Sequence, residues 1–118
     1  MAAQIGKSLQ TVTIAAGQSL SPQADIAPGT LVGLYLPANW TAASLTFQVS
    51  PDGGATWFEH YAYSGSETVY GGAPSNGSFV AIDPVLWRGV VSLKIRSGTA
   101  ASPVSQTNDA AIRLILAL

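Results

Sequence analysis

The chain contains no cysteine, which excludes both a disulfide framework and a thiolate metal site. It has one histidine, His60, so a histidine-built metal cluster is excluded as well. Charge is scarce. Five basic and six acidic residues make up 9% of 118 residues, against about 25% in ordinary soluble domains. The cations Lys7, Arg88, Lys94, Arg96 and Arg113 are too scattered for a nucleic-acid footprint. No run of 18 apolar residues exists, so no transmembrane helix is expected. The opening MAAQIGKSLQ lacks the basic start and apolar core of a signal peptide. Neither nucleic acid nor membrane is an expected partner. No internal repeat points to a solenoid or propeller.

What remains is a chain that is 47% hydrophobic, with mean hydropathy +0.31 and net charge −1. Its length suits one domain with a single core over residues 1–118. Near-neutrality by scarcity favours association. Two readings follow: a β domain coated with Ser, Thr, Gly and Ala, or a surface that meets other protein copies. The second is the expectation carried forward.

The dominant period is two, the signature of strands. "LQTVTIAA" alternates from Leu9, with Val12 and Ile14 on one face. "TLVGLYLP" (30–37) is almost wholly apolar, as in a strand covered on both sides. "LTFQVS" sets Leu45, Phe47 and Val49 against Thr46, Gln48 and Ser50. "TWFEHYAY" sets Trp57, Glu59, Tyr61 and Tyr63 against Phe58, His60 and Ala62. "SFVAID" continues the pattern, and "VVSLKIRS" opposes Val91, Leu93 and Ile95 to Ser92, Lys94 and Arg96. "AAIRLILAL" opposes Ile112, Leu114 and Leu116 to Arg113, Ile115 and Ala117. Gly- and Pro-rich turns separate these runs. The expected fold is all-β: an antiparallel β-sandwich or jelly roll of seven to eight strands. One short helical turn is expected near 84–87, with Asp83 as N-cap and Pro84 in the first helical position.

The most patterned stretch is "SPDGGATW" (50–57), which resembles the Asp box S-x-D-x-G-x-T-W of sialidase-like propellers at every fixed position. Each of its residues has a structural task in a hairpin loop between two strands. Asp52 accepts from backbone N–H groups, and Gly53 and Gly54 tolerate positive φ. The Thr56 hydroxyl ties the loop, and Trp57 lays its ring against the base of the hairpin or into the core. Ser50, Asp52, Gly54, Thr56 and Trp57 are therefore read as a structural turn, not a catalytic site.

Elsewhere no chemistry assembles. His60 reads as a half-exposed strand histidine, and neighbouring Glu59 faces the opposite side. Asp52, Asp83 and Asp109 lie on separate loops, and no carboxylate pair is selected by spacing. No enzyme activity, cofactor or metal is expected. Among the aromatics, Tyr63 and Tyr70 flank a Gly/Ser-rich loop and form the expected exposed pair. Trp40, in "PANWTAAS", reads as a lid on one end of the sandwich. Together, Tyr63, Tyr70 and Trp40 are the candidate interaction surface, and glycan stacking on them is the alternative activity.

The segments "LVGLYLPANWTAASLTFQVSPDGGATWFEHY" and "FVAIDPVLWRGVVSLKIRSGTAASPVSQTNDAAIRLIL" resemble a family of small proteins of tailed bacteriophages and prophages. The shared pattern is a strand ending "LP", then "W-T-A-A", "LTFQ-S-DG", "ALDP" and "LKIRSGT…PV-Q…R". It falls on residues 36–37, 40–43, 45–53, 81–84 and 93–113, and the match spans roughly 30–116. The loop 65–77 departs from it. The resemblance implies a virion structural protein at the capsid surface, made in the bacterial cytoplasm. There it would act as a decoration (cement) protein, with the major capsid protein and further copies of itself, as small rings or trimers, for partners. A glycan-binding ornament and a neck or tail component are the alternatives. Residues 1–10 are expected to be an arm held by a partner, and strands near both termini are expected to pair across subunits.

Overall fold

The computed structural model describes residues 7–62, 65–70 and 77–118. Eight strands form in chain order: β1 (Lys7–Ile14), β2 (Ala24–Asp25), β3 (Thr30–Tyr35), β4 (Leu45–Ser50), β5 (Phe58–Glu59), β6 (Phe79–Ala81), β7 (Ser92–Ser97) and β8 (Ala110–Ala117). They make two four-stranded antiparallel sheets, ordered β1-β8-β3-β6 and β2-β7-β4-β5. The pairs β1–β8, β2–β7, β3–β6 and β4–β5 are each antiparallel, as if one long hairpin with its tip at β4–β5 had been rolled up. Pairing of β3 with β8 and of β4 with β7 completes the sheets. This is the strand order of a jelly roll, and it delivers the all-β sandwich expected from the sequence.

The core lies between the sheets. Ile14, Leu31, Leu34, Ile112 and Leu114 enter it from the first sheet, and Leu45, Phe47, Leu93 and Ile95 from the second. In β8 the burial alternates strictly, so the period-two pattern read for residues 110–117 is the packing pattern. A bulge between Leu31 and Gly33 breaks the alternation of β3 and lets both Leu31 and Leu34 point inward. The opposite face at Gly33 is roofed by Phe79, whose ring would lie 2.9 Å from any Cβ there. A residue larger than glycine would displace that ring.

The expected helical turn is a 3-10 turn, Pro84–Trp87, capped by the Asp83 carboxylate, which accepts from the Val85 N–H at 3.1 Å. The turn drives Trp87 into the core, at 1% exposure, where its ring meets Phe47 edge-on at 4.7 Å. Several expectations change. The strand read over 57–63 is only two residues long, because the chain leaves the ladder after Glu59 and turns back on itself through Ala62 and Ser66. Leu9 is exposed, on the face opposite Val12 and Ile14. Residues 7–10 of the expected arm belong to β1 and pair with β8 of their own chain, while residues 1–6 lie outside the described residues. The C-terminal strand β8 is enclosed between β1 and β3, so it presents no free edge for pairing across subunits.

Candidate functional site

The two sheets have very different outer faces. Cross-strand register on the second sheet aligns three polar rows: Thr46 with Arg96, Glu59 with Gln48 and Lys94, and Ser50 with Ser92 and Asp25. Nearly every polar group in these rows is already engaged. Arg96, a buried side chain, holds Glu59 in a two-pronged pair, Nη1 to Oε1 at 2.7 Å and Nη2 to Oε2 at 3.1 Å. It also reaches Glu67 at 3.3 Å and Thr46 Oγ1 at 3.4 Å. The hydrogen bonds from Arg96 hold the Glu59 carboxyl below its ordinary range, against the opposing effect of burial. Asp25 accepts from Ser92 Oγ at 2.6 Å and from Gln23 Nε2 at 2.8 Å, and these donors, Ser92 first, lower its pKa. Lys94 Nζ sits 4.5 Å from the centre of the Trp57 ring, a cation–π contact.

The Asp-box turn folds beside this face. Ser50, fully buried, donates to Asp52 Oδ1 at 2.6 Å and accepts from the Gly54 N–H at 2.8 Å. The same Oδ1 accepts from the Thr56 N–H at 3.0 Å. These bonds, Ser50 first and then Thr56, bring the Asp52 pKa down to about 2. Gly54 has φ +106°, and a Cβ there would run into the Gln23 amide, whose Nε2 donates to the Gly53 carbonyl at 2.9 Å. Ser50, Asp52, Gly54 and Thr56 thus form one locked turn, and half-buried Trp57 leads out of it into β5.

On the first sheet the register aligns two outward rows that cross all four strands. One is Leu9, Ile115, Gly33 and Ala81; the other is Thr11, Arg113, Tyr35 and Phe79. Leu9 is 53% exposed and Phe79 62%, and Phe79 stacks on Tyr35 with ring centres 6.5 Å apart. Among the described side chains of these two rows, Arg113 carries the only charge, and it has no ion-pair partner among the described residues.

Of the expected aromatic surface, the two described members are buried. Tyr70 is buried: its hydroxyl accepts from Trp87 Nε1 at 3.0 Å and its ring meets Phe47 edge-on at 5.5 Å. Burial raises its pKa, partly offset by the Trp87 bond. Trp40, 4% exposed, belongs to the core cluster rather than to any contact surface. Tyr63 lies outside the described residues. His60 is buried, not half-exposed, with its ring 4.4 Å from that of Trp87. Its Nε2–H donates to the Leu86 carbonyl at 2.8 Å, while Nδ1 is buried with no partner among the described residues. Burial lowers the His60 pKa, partly offset by the Leu86 bond.

Sequence reasoning missed the Arg96–Glu59–Glu67 cluster and the four-strand rows of the first sheet. Both depend on which strands are neighbours. It also missed Gln106, 1% exposed, which clamps the Trp40 loop: Oε1 accepts from the Thr41 N–H at 2.8 Å and Nε2 donates to the Thr41 carbonyl at 3.0 Å. No three His, Cys, Asp or Glu side chains cluster to suit a metal ion among the described residues. No family model matches the chain, and no curated protein matches it either.

Proposed function

We propose that this chain is a non-enzymatic structural protein of a tailed-bacteriophage virion: a capsid decoration protein that binds the head surface and stabilises it. The observation that carries this reading is the outer face of the first sheet. It is nearly uncharged, with apolar side chains open to solvent, while the charges of the second sheet are consumed inside the molecule. Covering such a face yields roughly 25 cal/mol per Å² of apolar area before association costs, and the gain depends little on salt. The sequence resemblance described above points to the same role, with the major capsid protein as partner. The glycan alternative loses support, because Tyr70 and Trp40 offer no platform for a sugar ring.

The test is co-sedimentation of purified protein with phage heads assembled without it. Binding that saturates at hundreds of copies per head and survives molar salt is the expected result. Saturation at a handful of copies would assign the chain to the neck or tail, and failure to bind heads at all would end the proposal.

A further inference from the structure

The four edges of the two sheets are unequal. β2 and β5 are two residues long and β6 is three. β1 is an edge strand of eight residues, KSLQTVTI, paired in unbroken register with β8 on its inner side. Natural sheets blunt their edges by shortening them, by bulges, by proline or by charge. β1 uses none of these beyond Lys7 at its first position. From residue 8 to residue 14 it is uncharged and free of proline and glycine. Among the described residues, its backbone finds no hydrogen-bond partner other than β8. Half of its N–H and C=O groups therefore face outward as an open template.

We infer that β1 is a self-association edge, at which two copies of this chain pair antiparallel about a twofold axis. The sheet then runs continuously through eight strands: β6-β3-β8-β1 of one copy and β1-β8-β3-β6 of the next. Three arguments select a second copy as the occupant. A ring of copies joined edge to edge needs a second long edge on each molecule, and the described residues supply only one. The edge therefore matches itself, which favours a twofold pair over the small rings or trimers that the resemblance implies.

The charge pattern also permits self-pairing. An axis through Thr11 opposes Ser8 to Ile14, Leu9 to Thr13 and Gln10 to Val12, which pairs all of residues 8–14 and places no charge opposite a like charge. Lys7 falls opposite Ala15. The two Arg113 side chains stand three strand spacings apart, about 14 Å, beyond the Debye length of about 8 Å. Finally, the pairing supplies about six backbone hydrogen bonds, within the range of a specific interface. It also joins the exposed apolar rows of the two copies into one surface. This inference does not rest on the proposed place in a virion.

The test uses the whole chain in solution. Sedimentation equilibrium at ~100 µM is expected to give about twice the 12.1 kDa chain mass. In the double variant Thr11→Glu, Thr13→Glu, the carboxylate introduced at position 11 stays beside Arg113 of its own chain, so the fold is retained. Across the axis, the two carboxylates at position 11 then face each other. The dissociation constant is expected to rise by about tenfold or more at an unchanged circular dichroism spectrum. Because the chain has no cysteine, Thr11→Cys reports pairing directly. Oxidation is expected to give a covalent dimer, with less from Leu9→Cys or Thr13→Cys. A monomeric wild type at this concentration, a trimer mass, or a dimer indifferent to the double variant and uncrosslinked at position 11 would each overturn the inference.

Discussion

Arg96 and Arg113 occupy equivalent outward positions on central strands of the two sheets, yet their surroundings are opposite. Arg96 is buried beneath two carboxylates and a threonine hydroxyl. Arg113 is exposed between Thr11 and Tyr35 with no acid beside it among the described residues. The contrast extends to the whole faces. Asp25, Asp52, Glu59, Lys94 and Arg96 lie on the second sheet's face or in the turn beside it, and Glu67 pairs with Arg96 there; together they are more than half of the chain's five basic and six acidic residues. One face therefore uses its charge to hold its own loops down, and the other is left nearly neutral. A charge satisfied internally has little left to offer a partner. An uncharged face costs little to desolvate when it is covered.

Substitutions at the two arginines break this comparison most directly. Arg96→Ala leaves Glu59 and Glu67 facing each other without their cation, and is expected to destabilise the fold by about 3 kcal/mol, read as a shift in the urea midpoint. Arg113→Ala should change stability by no more than about 0.5 kcal/mol. Equal losses at the two sites would remove the distinction. Tyr70→Phe comes next: it strands the Trp87 indole N–H in the core and should cost about 1–3 kcal/mol by the same assay.

The His60 effect is smaller and depends on pH. Its folded-state pKa lies below the unfolded value near 6.5, so on acidification the unfolded chain takes up the proton first. Stability should be full above that value and decline as pH falls below it. His60→Gln should flatten this slope, leaving the acid-limb loss of the carboxylates Asp25, Asp52 and Glu59, whose folded pKa values are lowered. Thermal midpoints measured from about pH 4.5 to 7.5 bracket the histidine range and would show it. An unchanged slope would mean that His60 is not the titrating group.

Facts within a strand are legible in the sequence, and facts between strands are hidden. Ile112, Leu114 and Leu116 announce their face because alternation is local. Asp83 and Pro84 announce the 3-10 turn for the same reason. The Asp-box residues meet within a single octapeptide, so their turn can be read from spacing. Arg96 and Glu59 are 37 residues apart, and only the β5-β4-β7 neighbourhood brings them together. Tyr70 reads as exposed because it borders a Gly/Ser-rich loop, yet its backbone bonds to Leu45 and carries its ring into the core. The length of β1, and the shortness of the other edges, follow from how the sheet order distributes the ladder.

The most direct measurement is amide hydrogen exchange as a function of protein concentration. Slowing confined to amides of residues 8–14 as concentration rises, with β5 and the Asp-box turn unchanged, is the predicted result. Concentration-dependent slowing at β5 and the turn, with residues 8–14 exchanging at one rate throughout, would contradict the division of labour between the two faces.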